Sequence, residues 1–184
     1  MKQISIEAPL EKSVIRSLRA GDRVFVNGTI YTARDAAHAR MVENYNNGIE
    51  FPIDLKNRII YYAGPCPAKP GEVIGSCGPT TAGRMDAYAP ILLDNGLAAM
   101  IGKGARNAAV VDAMKRNCAV YLGATGGAGA LIAECIKESE VVAYDDLGTE
   151  AIRRLKVENF PVVVLIDCEG NDIYEIGQRE YRKI

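Results

Sequence analysis

Three times between residues 73 and 137 a short apolar run gives way to a glycine-rich loop and then to a helical pattern. Val73 to Ser76 leads into Cys77-Gly78-Pro79-Thr80-Thr81-Ala82-Gly83-Arg84, with helix predicted from about Met85. Ala98 to Ile101 leads into Gly102-Lys103-Gly104-Ala105-Arg106, with helix through Lys115. Ala119 to Leu122 leads into Gly123-Ala124-Thr125-Gly126-Gly127-Ala128-Gly129, with helix to Lys137. This rhythm of β-branched runs, turns and helices is the mark of α/β organisation. The flanking segments predict further elements. Arg23 to Tyr31 reads as a hairpin turning at Asn27-Gly28, and Asp35 reads as the cap of a helix through about Asn46. Arg58 to Ala63 is extended and is ended by Gly64-Pro65-Cys66-Pro67, and Val141 to Tyr144 is a further strand. Val162 to Ile166 and Ile173 to Ile176 flank the polar turn Asp167 to Asp172 of a terminal hairpin.

At 184 residues, 48% of them hydrophobic, the chain is long enough for one well-buried core and is read as one domain, 1–184. Lys and Arg number 22 against 23 for Asp and Glu, so the broad basic excess of a nucleic-acid surface is missing and any anion site is local. No run approaches the roughly 20 apolar residues of a membrane span. The expectation is a cytoplasmic protein. The five cysteines, Cys66, Cys77, Cys118, Cys135 and Cys168, form no C-x-x-C pair and no ligand spacing with histidine, which argues against a metal site of the chain's own. Cys118 and Cys135 read as small buried hydrophobes, while Cys66 and Cys77 flank the Pro- and Gly-rich loop.

The chemistry lies in the loops. Glycines between a strand end and a helix start leave backbone N–H groups facing the loop, and such helix starts attract anions. Thr80 and Thr81 add hydroxyls, Arg84 adds a planar fork suited to a carboxylate, and Lys103 stands between two glycines as a movable point charge. Arg34 precedes Asp35, so three cations are available to a small anion. Each alone reads as a solvated charge or a capping residue; their recurrence in three such loops is what favours a site. Two nucleotide patterns fail. Gly102-Lys103 lacks the Ser or Thr of a phosphate loop, with Gly104 in its place, and the loop Gly123 to Gly129 lacks the third glycine of a dinucleotide fingerprint.

Gly78-Pro79-Thr80-Thr81-Ala82-Gly83-Arg84-Met85-Asp86 is similar to the G-P-T-T-S-x-R-M-D signature of class I fumarases and L-tartrate dehydratase beta subunits. Tyr31-Thr32-Ala33-Arg34-Asp35-Ala36-Ala37-His38 resembles their Y-T-x-R-D-A-A-H segment, and Ile101-Gly102-Lys103-Gly104 resembles a third shared block. The blocks follow the family's order across nearly the whole chain, and Ala82 departs from the Ser common at that place. The resemblance implies a layered β/β/α swivelling domain beside a separate alpha subunit, in a heterotetramer, with a [4Fe–4S] cluster held by the alpha part through three cysteines and none of it by this chain. It implies that Arg34, Thr81, Arg84 and Lys103 contact substrate carboxylates and that Thr80 takes part in proton abstraction, together with a partner carboxylate because a Thr hydroxyl is a poor base alone.

His38, the one histidine, reads as a packing or hydrogen-bonding residue, and Asp86 as an orienting partner for a cation. The implied activity is reversible hydration of fumarate to L-malate, with tartrate dehydration and mesaconate hydration as variants on the same scaffold. The competing readings are a small-anion or nucleotide-binding module without catalysis, and a purely structural subunit.

Overall fold

The structure is a computed structural model describing residues 3–182. Its strands are β1 (Gln3–Ala8), β2 (Arg23–Thr32), β3 (Ile59–Tyr61), β4 (Ala99–Gly102), β5 (Val120–Gly123), β6 (Ile136–Ala143) and β7 (Ile152–Ile166). The helices are α1 (Lys12–Ser17), α2 (Asp35–Asn46), α3 (Ala89–Asp94), α4 (Ala108–Asn117), α5 (Gly129–Glu134) and α6 (Ile173–Tyr181), with 3-10 turns at Ala82–Met85 and Asp145–Glu150. β1 through β5 pair in parallel in chain order, while β7 runs antiparallel to β2, β5 and β6. The α/β expectation is met, as a mixed sheet.

The length of β7 sets the architecture. Over 15 residues it pairs along one flank with β2, from Arg153 opposite Thr32 to Val163 opposite Arg23. Its other flank pairs with β6 in its first half and with β5 near its end. The succession β2, β3, β4, β5, β7 therefore returns to β2, and the sheet closes on itself.

Closure gives the strands two buried faces, and the period-two alternation of side chains divides them. Ile59, Tyr61, Ile101, Val120, Leu122, Val164 and Phe160 point into one core, together with Ile15 and Leu18 of the α1 region. Ile60, Tyr62, Met100 and Tyr121 point into a second core, which Met41 of α2, Leu92 and Leu93 of α3 and Met114 of α4 cover. Strands buried on both faces read as continuous apolar runs, which is why β3, β4 and β5 show no alternation in sequence. The helices are short: α1, α3 and α5 have six residues each, too few to persist in water unaided. Burial of side chains such as Leu92 and Leu93, worth about 1.5–3 kcal/mol each, holds them in place.

Several local expectations are corrected. Asn27-Gly28 is no hairpin turn; β2 runs straight through it with a bulge between Val26 and Gly28. The Asn27 side chain is drawn into that ladder, donating to Ser5 Oγ at 3.0 Å and accepting from Asn159 N at 2.8 Å. Asp35 does not cap α2: Arg34 holds the cap position, and Glu150 supplies the acceptor, taking the Ala36 N–H at 2.9 Å from 114 residues away. Val73 to Ser76 forms no strand. Gly75 instead lies so close to the Cys66 and Pro67 carbonyls that the segment folds against its own loop. The terminal hairpin is a strand followed by a helix, because Asp172 accepts the Tyr174 N–H at 2.8 Å and starts α6. The turn before it is organised by buried Asp167, whose carboxylate takes N–H groups from Ala20, Glu169 and Asn171. α5 ends at Glu134 rather than Lys137. Cys118 and Cys135 are half-buried rather than fully buried, and they end α4 and α5.

Gly28 has φ +90°, and a Cβ there would stand 2.5 Å from the Ala8 carbonyl oxygen on β1. Gly28→Ala is expected to destabilise the fold by at least about 2 kcal/mol through backbone strain and this clash. A urea titration checks it, the midpoint falling while the slope stays unchanged.

Candidate anion-binding site

Because β2, β3, β4 and β5 are parallel, the segments leaving their C-terminal ends emerge on one edge, the usual place for ligands in such sheets. Arg34 follows β2, Lys103 follows β4, and the loop of Thr125 and Gly126 follows β5. The chain beyond β3 makes a long excursion and returns beside its own strand, the Thr80 N–H donating to the Tyr62 carbonyl at 2.6 Å. Lys103 N donates to Thr80 O at 3.2 Å and Ala82 N to Lys103 O at 2.8 Å, so Thr81 and Lys103 form a parallel bridge extending the sheet. The hydroxyl pair and the lysine are thus fixed to one another by backbone. The Lys103 side chain lies along Gly126, where a Cβ would be 4.0 Å from Nζ.

Arg34 and Arg84 meet over Asp35. Asp35 Oδ2 is 3.4 Å from Arg34 Nη2 and 3.9 Å from Arg84 Nη1, and Glu150 Oε1 is 3.5 Å from the same Arg34 nitrogen. Gly64 lies beneath the Arg34 guanidinium, and a Cβ there would stand 2.8 Å from Nη1. Arg34 Nε is buried without a partner. Arg84 N reaches Thr81 O at 3.4 Å, which joins the arginine pair to the threonine–lysine group. The structure brings together all five residues singled out from sequence.

Their exposure differs. Arg84 keeps 58% of its side-chain surface and Arg34 23%, while Lys103 and Thr81 are exposed and Thr80 is half-buried. The residues form an open face. Neither of two cavities elsewhere, of about 580 Å³ beside Cys66, Ile74 and Ala133 and about 480 Å³ across β2, β7 and β6, includes any of them.

The helix starts contribute less than expected. The first loop enters a 3-10 turn of four residues, and Thr80 N, Ala82 N and Lys103 N are all spent on carbonyls. These three N–H groups are therefore not free to meet an anion.

Beneath the face lies a layer that the motifs did not reveal. Arg106 has a side chain with no exposed surface, and its Nε donates to Asp86 Oδ1 at 2.7 Å. Its guanidinium carbon lies 5.4 Å from the Tyr62 ring centre and 5.0 Å from that of Tyr121. Desolvation opposes the charge, but Tyr62 and Asp86 outweigh it and hold the Arg106 pKa above the ordinary value. The expectation that Asp86 orients a cation is met, with Arg106 as that cation. His38 is fully buried, its Nδ1–H donates to Arg34 O at 2.9 Å, and its ring packs edge-on to Tyr62. His38 Nε2 has no partner.

Among the described residues no three His, Cys, Asp or Glu side chains gather so as to hold a metal ion. Cys77 is buried, and that burial pushes its thiol up to about 12. The cysteines among the described residues do not gather as an iron–sulfur cluster would require. No helix among the described residues is long and apolar enough to cross a membrane.

A family profile described as "Fumarase C-terminus" matches residues 1–177. The chain belongs to the fumarase C-terminal family. It is 45% identical over 155 residues to "Fumarate hydratase class I, aerobic" of Escherichia coli (strain K12), covering 83% of this chain and 28% of that protein. It is 39% identical over 176 residues to "Fumarate hydratase 2" of Leishmania major, covering 94% of this chain and 31% of that protein. The chain therefore spans less than a third of these two relatives. It is 38% identical over 182 residues to "Putative L(+)-tartrate dehydratase subunit beta" of Methanocaldococcus jannaschii, covering 95% of this chain and 93% of that protein.

Burial lowers the His38 pKa to about 4, only partly offset by the hydrogen bond to Arg34 O. The unfolded chain then takes up the proton first, with its His near 6.5, so this contribution to stability is complete above pH 6.5 and is lost as pH falls toward 4. The loss is expected to reach about 3 kcal/mol relative to His38→Phe, which keeps a ring against Tyr62 and does not titrate. Denaturant unfolding of both proteins between pH 7 and pH 4 measures the difference.

Proposed function

We propose that this chain is the beta-type part of a class I iron–sulfur hydro-lyase, binding the carboxylates of a small dicarboxylate. The observation that carries this reading is the convergence of Arg34, Arg84 and Lys103 with Thr80 and Thr81 on one open face, with Asp35 and Glu150 as the carboxylates placed against the arginines. A buried, unpartnered Arg34 Nε adds a donor that a carboxylate would satisfy. We read the fold as the layered, swivelling β/β/α domain of this family, a single domain acting from the cytoplasm. An alpha partner would hold the [4Fe–4S] cluster, which as a Lewis acid supplies a site for the substrate's hydroxyl.

The favoured reaction is reversible hydration of fumarate to L-malate. The alternative to it is dehydration of L(+)-tartrate, a reading supported by the relative of beta-subunit name whose length this chain nearly covers. Arg34, Arg84 and Lys103 bind and orient the two carboxylates, and Thr81 adds a hydroxyl donor. In the dehydration direction Thr80 Oγ takes the proton from the carbon next to the hydroxyl-bearing one while passing its own proton to a carboxylate of the partner. Covering the face excludes water and strengthens each of these contacts.

The isolated chain is expected to be colourless and inactive, and to gain hydratase activity with an alpha partner and an anaerobically rebuilt cluster; cluster absorbance on the chain alone would refute this division. In the assembled enzyme Arg84→Ala and Lys103→Ala are expected to lower kcat/KM at least about 100-fold, roughly 3 kcal/mol, since each leaves a carboxylate unpaired. Near-normal kinetics would remove those assignments. Thr80→Val should lower kcat with KM within about a few-fold and enlarge the primary isotope effect on the abstracted hydrogen, whereas Thr81→Val should chiefly raise KM. If both variants change KM alone, Thr80 only binds.

A further inference from the structure

Arg106 lies outside the motifs that carry the family resemblance, and its side chain has no exposed surface with which to meet a ligand. A buried ion pair is weak evidence for stability, because well-packed apolar residues of similar volume often serve as well. What such a pair supplies is geometry, and here the geometry is shared with the site. Asp86 closes the segment that carries Thr80, Thr81 and Arg84, while Arg106 closes the loop that carries Lys103. One Asp86 oxygen accepts Arg106 Nε at 2.7 Å and the other accepts Asn107 N at 2.8 Å, and the Asn107 side chain in turn caps α4 through Val110 N at 3.0 Å. The two loops are thus fastened at this end by Asp86 and at the other by the Thr81–Lys103 bridge.

The loop between these fastenings is held by the tyrosines that flank the guanidinium. Tyr121 OH donates to Gly104 O at 3.0 Å, and Gly102 passes so close that a Cβ would be 3.0 Å from Tyr62 Cδ2. Arg106 Nη2 reaches Tyr62 OH at 3.5 Å, and the Tyr62 carbonyl takes the Thr80 N–H. We propose that Arg106, gripped by Asp86, is a positioning residue that sets Lys103 against the Thr80–Thr81 pair without touching substrate itself. Its planar fork and stacked face, not its charge alone, do this, and lysine cannot reproduce either. The effect on catalysis rests on the dicarboxylate reading of the site above.

Arg106→Lys tests the proposal in the assembled enzyme at a temperature where circular dichroism shows both proteins folded. The expected result is a fall in kcat/KM of about 100-fold, the size that a displacement near 1 Å at a site can produce. Introduced into Lys103→Ala, the same change should cost less than about 3-fold more, because a residue acting through Lys103 has nothing left to position. Multiplicative losses in the double variant, or wild-type kinetics in Arg106→Lys, overturn the proposal. Amide hydrogen exchange on the full chain without substrate supplies an independent readout. Arg106→Lys should speed exchange at the Ala82 and Lys103 amides by at least about 10-fold and leave the β1–β2 amides unchanged. Unchanged exchange at the bridge overturns the positioning role whatever the kinetics. Absence of hydro-lyase activity in the assembled wild type instead overturns the reading of the site and leaves the exchange result to decide the role of Arg106.

Discussion

The Arg106 guanidinium is cut off from water, and its charge is tolerable only because Asp86, the faces of Tyr62 and Tyr121 and the Met100 sulfur replace the lost hydration. Removing one member of a buried pair typically costs about 3–5 kcal/mol, because the other is left charged and alone. That penalty locks the two site loops to one another. Tyr62 serves the second core with its ring, Arg106 with its hydroxyl and Thr80 with its carbonyl, so the sheet, the pair and the site share one residue. His38 extends the layer toward Arg34, its ring edge on Tyr62 and its Nδ1–H on the Arg34 carbonyl.

Above this layer Arg84 and Lys103 are exposed. A cation such as Arg84 gains little from Asp35 while water surrounds both, since exposed ion pairs contribute about 0–1 kcal/mol. The same groups become strong ligands once a second surface covers them and lowers the local dielectric. The face is open to water, and the loops that carry it are held from beneath by the Asp86–Arg106 pair.

How much of this could be read from the chain alone depended on where each stabilising contact lay. The glycine-rich strand-to-helix loops, with Thr80, Thr81, Arg84 and Lys103 in them, were visible because their chemistry is local. β4, α4 and β5 fell close to expectation for the same reason, each being a run with its own turn residues. At Asn27-Gly28 a positive φ serves a turn or a bulge equally well, and β7, more than 120 residues later, makes the choice. Nothing in the immediate neighbours of Arg106 marks it as buried; Asp86, Tyr62 and Tyr121 come from three other segments. Glu150 was invisible as the cap of α2 on the same ground.

By itself the sequence determined the alternation of strands and helices, the chemistry of the loops and the family, since these follow from residue type, spacing and motif. Only the tertiary structure decided that β7 closes the sheet, that Arg34 and Arg84 share Asp35, and that one arginine is buried while others stay in water. The physical reason is range. Turn chemistry and side-chain periodicity act over a few residues, whereas strand pairing and the burial of a charge depend on partners that only the folded chain brings within a few ångströms.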